Sequence, residues 1–178
     1  MVIDLHLLYP MQDSIFGIEA MMERPDLTGY LLGKNDLRKA IINNGNFSML
    51  FSNNRTLMDS INCEEDTPVQ NYVNMMDTLR KMYDIILIDC PNDIDHTLIN
   101  TAIYGCDHIY MVWDEGLPSI LNTEKIRRAL ASTGVDSYTK LSVILNKRTD
   151  VTYSDYPFSR LNIELDQILP FDPAVVES

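Results

Sequence analysis

The chain has 178 residues, of which 46% are hydrophobic and 22% are charged, and its formal charge at pH 7 is −12. This length predicts one well-buried core, so we expect a single domain spanning residues 1–178. The acidic balance argues against strong nucleic-acid binding, because surfaces that neutralise phosphates need clustered Lys and Arg. We therefore expect proteins or a small ligand as partners.

The cysteines and the apolar runs indicate the compartment. Cys63, Cys90 and Cys106 have no paired short spacing, so neither a disulfide framework nor a zinc site is predicted. Apolar runs such as Ile85–Ile88 are far shorter than the roughly 20 residues of a membrane-spanning helix, and no signal-peptide pattern opens the chain. We expect a soluble cytoplasmic protein.

Short apolar runs recur along the chain, with helical patterns between them. Most are continuous rather than alternating, as expected for parallel strands with helices on both faces. The predicted class is α/β, a three-layer domain with a mainly parallel sheet. The predicted strands are Met1–Ile3, Phe47–Phe51, Ile85–Ile88, Ile109–Trp113, Leu141–Leu145 and Ile168–Leu169.

Two helices have clear boundary signals. The first begins near Thr67, which can cap it, with Pro68 at the first helical position and Gln70 placed to close a capping box. The second is predicted over Ile120–Ser132, with Gly134 as its stop. Polar clusters predict loops at Asn43–Asn46 and Asn62–Pro68.

A buried strand in the middle of the chain ends in a carboxylate. The stretch from Tyr83 to Asp95 reads YDIILIDCPNDID, which places Asp89 at the end of an apolar run. A carboxylate at the carboxyl end of a central parallel strand lies in the crevice where such sheets bind ligands, and carboxylate oxygens suit Mg²⁺. Asp89 is a candidate metal-side residue. The alternative is that it caps the next helix or accepts loop hydrogen bonds.

A glycine-rich phosphate loop is missing from the sequence. A P-loop needs Gly-x4-Gly-Lys followed by Ser or Thr, because small residues let backbone amides surround the phosphates. The nearest segment, GYLLGKN from Gly29 to Asn35, has a gap one residue too short, bulky apolar residues within it, and Asn35 in place of the hydroxyl. It is predicted to be a helix end or a turn.

Four stretches nevertheless resemble the MinD/ParA group of P-loop ATPases, and they occur in the order found there: VIDLHLLYP, YDIILIDCP, SVILNK and LPFDPAV. Within that group, LPSILNTEKIRRAL and the ending LNIELDQILPFDPAVVES resemble the pilus-assembly ATPases of the CpaE/TadZ type. The resemblance implies a nucleotide-dependent localisation or assembly factor that binds ATP or ADP with Mg²⁺. It also implies a homodimer, partners in a secretion or pilus machine, and polar or membrane-peripheral placement through them.

The resemblance assigns roles to residues near the first strand and Asp89. Asp89 would hold Mg²⁺ through water, and Pro91 and Asn92 would belong to the segment that senses the γ-phosphate. The family usually has an acid two residues after Asp4, which orients the attacking water, and His6 stands at that position. Neutral imidazole accepts a hydrogen bond but lacks the fixed negative charge. Asp4 and His6 are candidate catalytic residues, with a structural His6 as the alternative.

The resemblance also implies adenine contacts near the end of the chain. Asn146 matches the family asparagine at the adenine edge, for which an amide supplies both a donor and an acceptor. We expect the side chains of Asp4, Asp89 and Asn146 to converge along one rim of the sheet, as a bound purine triphosphate would require. Lys147 follows it and lies near the base or in solvent. Pro170 and Asp172 belong to a stretch that resembles the loop against the base, while a rigid turn after an edge strand is the alternative.

In that group the P-loop follows the strand that precedes the one opening this chain, so the chain resembles the domain without its first strand and P-loop. ATP hydrolysis is therefore expected only if that unit is supplied upstream, and this chain alone is expected to be inactive.

Two alternative functions stay open. One is a non-catalytic scaffold that keeps the fold without binding ATP. The other is a ParA-type DNA-partition ATPase, which predicts a basic surface, whereas 14 Lys and Arg stand against 26 acids.

Overall fold

The computed structural model describes residues 1–7, 16, 24–52, 66–91, 96–113, 117–132, 140–148 and 165–173. Contacts divide the chain into two compact units, Met1–Ile103 and Tyr104–Ser178. Each unit contains strands of its own sheet, and the two are described in turn.

The first unit is built on a four-stranded sheet. Its strands are β1 (Val2–Asp4), β2 (Ile42–Asn44), β3 (Phe47–Leu50) and β4 (Leu87–Asp89), in the order β2-β3-β1-β4. β1 runs parallel to both β3 and β4, whereas β2 is antiparallel to β3.

The strands predicted at the start of the chain and after Phe47 are confirmed. The strand predicted at Ile85–Ile88 is confirmed only in part, because β4 begins at Leu87. The prediction of a buried central strand there is wrong for the described residues, since β4 ends the strand order and Leu87 is 58% exposed.

The strand β2 corrects the loop predicted at Asn43–Asn46. Asn43 and Asn44 pair with β3, and only Gly45 and Asn46 connect the two strands. Gly45 has φ +60°, and glycine at the first position of a two-residue connection is typical of a type II′ hairpin turn. The sequence predicted a loop here because both asparagines are polar. In β2 both are exposed, which an edge strand permits.

Four helices accompany this sheet in the described residues: α1 (Leu27–Leu31), α2 (Leu37–Ala40), α3 (Asp66–Leu79) and α4 (Thr97–Gly105). Asp26 caps α1 by accepting from the backbone N–H of Gly29 at 2.8 Å. The cap predicted at Thr67 is wrong, because α3 already includes Asp66. The loop predicted over Asn62–Pro68 is wrong from Asp66 onward, and its earlier residues fall outside the described residues. Pro68 still lies in the first turn of α3. Backbone N–H groups there have no acceptor within the helix, so the N–H that proline lacks costs no hydrogen bond.

The segment GYLLGKN is a helix end, as the sequence predicted. α1 stops at Leu31, and the chain turns through Gly33, whose φ is +71° and whose N–H donates to the Tyr30 carbonyl at 2.9 Å. Glycine adopts this left-handed conformation without the steric cost that a Cβ brings. The segment therefore forms a helix terminus, and the rejection of a P-loop there is confirmed.

Apolar clusters lie on both faces of the first sheet. Ile3 and Leu50 belong to a cluster that includes Leu79 of α3 and Leu98 of α4. The preceding residues, Val2 and Met49, belong to a second cluster with Ile42 and Phe51. Because successive residues of a strand point to opposite faces, both faces of the sheet carry apolar side chains. This explains why the strands read as continuous apolar runs.

The second unit has a three-stranded parallel sheet. Its strands are β5 (Ile109–Trp113), β6 (Leu141–Arg148) and β7 (Gln167–Pro170), and α5 (Leu117–Ser132) lies between β5 and β6 in sequence. Trp113, Val143 and Leu145 form its buried cluster, and the Trp113 indole N–H donates to Thr123 Oγ1 of α5. The predicted bounds of β5 are confirmed, while β6 continues three residues beyond its prediction.

The helices and the cysteines bear on two further features, membrane spans and disulfides. Among the described residues, none of the helices combines the length and the apolar character needed to cross a bilayer. Neither Cys90 nor Cys106 forms a disulfide there, and Cys63 falls outside the described residues.

Candidate functional site at the ends of parallel strands

Two acidic residues meet at one end of the first sheet. Asp4 is the last residue of β1, Asp89 is the last residue of β4, and the two are register partners in this parallel pair. The Leu5 N–H donates to the Asp89 carbonyl at 2.8 Å, which extends the ladder one residue past β1. The two carboxylates are therefore placed together by the backbone of adjacent strands.

His6 joins these two carboxylates. Its backbone N–H donates to Asp4 Oδ1 at 2.8 Å, and its Nε2 lies 3.5 Å from Asp89 Oδ1. One ligand atom from each of the three residues can be chosen so that all lie within 4.8 Å of one another. β1 ends at Asp4, and a tight turn centred on His6, in which the Leu7 N–H donates to the Leu5 carbonyl at 2.8 Å, returns His6 toward the Asp4 carboxylate. We call this group the Asp4–His6–Asp89 cluster.

Burial differs within the Asp4–His6–Asp89 cluster. Asp4 is 2% exposed, whereas the side chains of His6 and Asp89 are 38% and 50% exposed. The His6–Asp89 contact is a salt bridge only when the imidazole is protonated, and at this exposure such a pair adds little stability. One imidazole nitrogen and two carboxylates form a donor set that accepts divalent cations.

The sequence predicted that Asp4 and Asp89 converge along one rim of the sheet together with Asn146, but it did not place His6 with them. The position of Asn146 relative to the two carboxylates stays a prediction. The sequence assigned Asp89 to a metal and treated His6 as a replacement for an acid. The Asp-x-His spacing at a strand end was the available signal. Pro91 follows this site and is half-buried, while Asn92 lies outside the described residues. Their role at the γ-phosphate stays a prediction.

The candidate adenine contacts lie in the second unit. Asn146 was expected just past a strand, but β6 continues to Arg148, so Asn146 and Lys147 lie inside it. The β6–β7 register shifts between Leu145 and Arg148, and Lys147 has φ +58°. This irregularity removes Asn146 and Lys147 from the regular ladder, as a β-bulge does.

The β7 candidates lie beside this irregularity. Pro170 is the register partner of Arg148, and the Phe171 N–H donates to the Arg148 carbonyl at 2.8 Å. Asp172 follows and is exposed. Asn146, Lys147, Pro170 and Asp172 therefore cluster toward the carboxyl ends of two adjacent parallel strands. Their contact with adenine stays a prediction.

We expect Lys147→Gly to stabilise the protein by about 1 kcal/mol, because a side chain in the left-handed region costs roughly 1–2 kcal/mol that glycine avoids. Lys147→Ala keeps the penalty and serves as the control for loss of the lysine side chain. Urea unfolding, followed by the fluorescence of the single tryptophan, measures both variants. A glycine variant less stable than the alanine variant would contradict a conformational cost at this position.

Comparison with known proteins finds no matching family model and no matching curated protein. Solved structures do match. The MinD cell division ATPase of Pyrococcus furiosus superposes with a TM-score of 0.76 at 19% identity, covering 99% of this chain and 73% of that one. A ParA family ATPase from Chlorobium tepidum TLS gives 0.72 at 16% identity, covering 99% and 72%.

A third match is a putative plasmid partition protein from Borrelia burgdorferi B31 bound to AMPPNP. Its TM-score is 0.73 at 15% identity, and the alignment covers 99% of this chain and 74% of that one. Identities this low carry information about the fold, whereas function depends on the site. The α/β fold of this chain is that of the MinD and ParA ATPases, over roughly three quarters of their length.

Proposed function

We propose that the protein is a nucleotide-dependent localisation or assembly factor of the MinD/ParA type, which binds ATP or ADP with Mg²⁺. The observation that carries this proposal is the pairing of Asp4 with Asp89 at the carboxyl ends of adjacent parallel strands. Open α/β sheets bind their ligands in the crevice outside these ends. The fold likeness to two ATPases, and to a putative plasmid partition protein described with AMPPNP, supports the same conclusion.

In this proposal the residues at the ends of β1 and β4 act on the metal side of the phosphates. Asp89 is half-exposed and can accept hydrogen bonds from water bound to Mg²⁺, which prefers oxygen ligands and keeps several of its waters. His6 accepts a hydrogen bond from water in its neutral form. The segment from Pro91 to Asn92 orders when the γ-phosphate is bound and is released when it is lost.

The adenine is assigned to the β6–β7 irregularity. Asn146 offers an amide donor and an amide acceptor, and Lys147, Pro170 and Asp172 lie near it along the two strand ends. The unusual backbone at Lys147 supports this assignment, because residues in sparsely populated conformations cluster at binding sites.

The phosphates need groups that the sequence of this chain does not supply, so the proposal includes a further strand and glycine-rich loop from an upstream segment or another subunit. Among the described strands, β4 pairs only with β1, and β5 pairs only with β6. Both carry exposed apolar side chains: Leu87 is 58% exposed on β4, and Val112 is 60% exposed on β5. An open strand edge is a template for pairing, and these edges support such completion.

Titration with a fluorescent ATP analogue and Mg²⁺ tests the proposal. We expect saturable, Mg²⁺-dependent binding that Asp89→Ala weakens at least about tenfold, equivalent to about 1.4 kcal/mol. The matched control is Asp84→Ala, which should not change the affinity. It removes an exposed acid from the segment between α3 and β4, outside the strand that carries Asp89. Equal binding by the Asp89→Ala variant would contradict the role of this site.

A non-catalytic scaffold is the second candidate, and specific observations favour it. The chain carries no glycine-rich loop, and GYLLGKN ends a helix. His6 also replaces the acid expected two residues after Asp4. Absence of saturable ATP binding, with retained self-association and partner recruitment, would support the scaffold.

A DNA-partition role is the third candidate and is disfavoured by the formal charge of −12. Proteins that neutralise DNA phosphates bind more tightly as salt is lowered. A gel shift with non-specific duplex at low salt would therefore support it, and no shift would dismiss it.

We further propose a cytoplasmic homodimer with pilus-machine partners, supported by the resemblance of LPSILNTEKIRRAL and the chain end to the CpaE/TadZ type.

A further inference from the structure

We propose that the Asp4–His6–Asp89 cluster binds a divalent transition-metal cation such as Zn²⁺ directly and without nucleotide. The ligands would be one imidazole nitrogen and two carboxylate oxygens. This inference goes beyond the proposed function, in which Asp89 contacts Mg²⁺ through water and only together with phosphates.

The separations within the Asp4–His6–Asp89 cluster suit a shared cation. Around a tetrahedral ion with bonds of about 2.0–2.1 Å, neighbouring ligand atoms lie about 3.3 Å apart. His6 Nε2 and Asp89 Oδ1 are 3.5 Å apart, and a set of three ligand atoms falls within 4.8 Å. Coordination requires the half-exposed His6 and Asp89 side chains to rotate so that the remaining distances shorten.

The 3.5 Å separation has a second consequence. A charge-assisted hydrogen bond between nitrogen and oxygen measures about 2.7–2.9 Å, so His6 and Asp89 are too far apart to form one. The pair is spaced as two ligands of one ion are spaced.

The backbone pre-organises one of the three ligands. Asp4 is buried, and its Oδ1 accepts the His6 backbone N–H at 2.8 Å, which fixes the carboxylate close to the His6 main chain. The bond from the Leu5 N–H to the Asp89 carbonyl holds the main chain of the facing strand in register. The Asp4 carboxylate therefore loses little conformational entropy when a cation binds.

The donor set determines which cation is preferred. Mg²⁺ favours oxygen ligands in an octahedral shell, whereas imidazole suits zinc and other first-row transition metals. His6 therefore shifts the preference of two carboxylates from Mg²⁺ toward Zn²⁺. Three protein ligands leave a fourth position for water, as in sites that are not purely structural.

Calorimetric titration of the nucleotide-free full chain with Zn²⁺, and separately with Mg²⁺, tests the proposal. We expect one Zn²⁺ per chain and affinity for Mg²⁺ at least about a hundredfold weaker. His6→Gln and Asp89→Asn should each weaken Zn²⁺ binding at least about tenfold, the range seen when metal sites are perturbed. Both side chains are half-exposed, so these variants should fold.

His108→Gln is the matched control, because His108 lies in the second unit and bonds to Ser142 Oγ at 2.9 Å. It should leave Zn²⁺ binding unchanged. The visible absorption of bound Co²⁺ gives a second readout, since a tetrahedral site with His6 as ligand should lose its bands in His6→Gln. Zinc binding that persists unchanged in His6→Gln, or no binding at all, would overturn the proposal. Failure to bind ATP would leave it standing.

Discussion

Replacing Leu130 with alanine should destabilise the protein by about 2–5 kcal/mol, the range for removing a buried leucine and leaving a cavity. Leu130 lies on α5 with 0% of its surface exposed, in the same helix as buried Ile126 and Thr123. The loss combines the transfer free energy of the removed methyl groups with contacts that the neighbours cannot replace.

Leu121→Ala is the matched control for Leu130→Ala, because Leu121 lies on the same helix and is 61% exposed. Its change in the free energy of unfolding should stay within about 0.5 kcal/mol, as for ordinary surface substitutions. Urea unfolding followed by Trp113 fluorescence measures both, since Trp113 is buried and contacts Thr123 of this helix. Equal losses in the two variants would contradict the orientation of α5.

Gly29→Ala is expected to destabilise the protein by about 1–3 kcal/mol through overpacking. A Cβ at this position would overlap the Asn35 amide, lying 2.7 Å from its Cγ, and would sit 3.0 Å from Asp26 Oδ1. Asp26 is the cap of α1, so its displacement also weakens the helix start. Gly29 is therefore required by the close packing of Asn35 and Asp26 around it, and not by a phosphate-binding role.

Two further variants isolate the cause of the Gly29→Ala effect. Gly105→Ala adds the same methyl group at the end of α4, where nothing lies within 4 Å of the new Cβ, and it should be neutral or stabilising by about 0.4–1 kcal/mol. The double variant Gly29→Ala with Asn35→Ala removes the overlapping amide and should lose less than the two single changes together. Thermal unfolding compares the set. Additive losses would argue against the contact.

Strand composition predicted most of the fold. The run IYMVW became β5 with the predicted bounds, and the apolar residues after Phe47 became β3. Such runs predict strands packed on both faces, which need apolar side chains at every position. In β5 the run formed the strand although Tyr110 and Val112 are 61% and 60% exposed. The prediction failed at Asn43 and Asn44, whose polar side chains are tolerated in β2 because it lies at the sheet edge beside β3.

The helix boundaries show a similar limit. The helix predicted from Ile120 begins three residues earlier, and α3 includes Asp66 ahead of the predicted cap at Thr67. Capping signals are local and weak, so a neighbouring polar residue extends the helix without a change in pattern. Buried positions were more predictable: Ile126 and Leu130 face the core as their spacing indicates.

For the candidate site as well, some features follow from the sequence and others only from the tertiary structure. The sequence by itself determined that Asp4 and Asp89 end apolar strands, that His6 follows Asp4 at a spacing of two, and that no glycine-rich loop is present. The convergence of Asp4 and Asp89 was predicted by resemblance, but only the tertiary structure decided that β1 and β4 are direct neighbours and that His6 joins the two carboxylates. Parallel strands distant in sequence are joined by crossover connections, and no local pattern specifies which strands become neighbours or in which register. The β1–β4 ladder fixes that choice, and with it the grouping of two carboxylates and an imidazole at one end of the sheet.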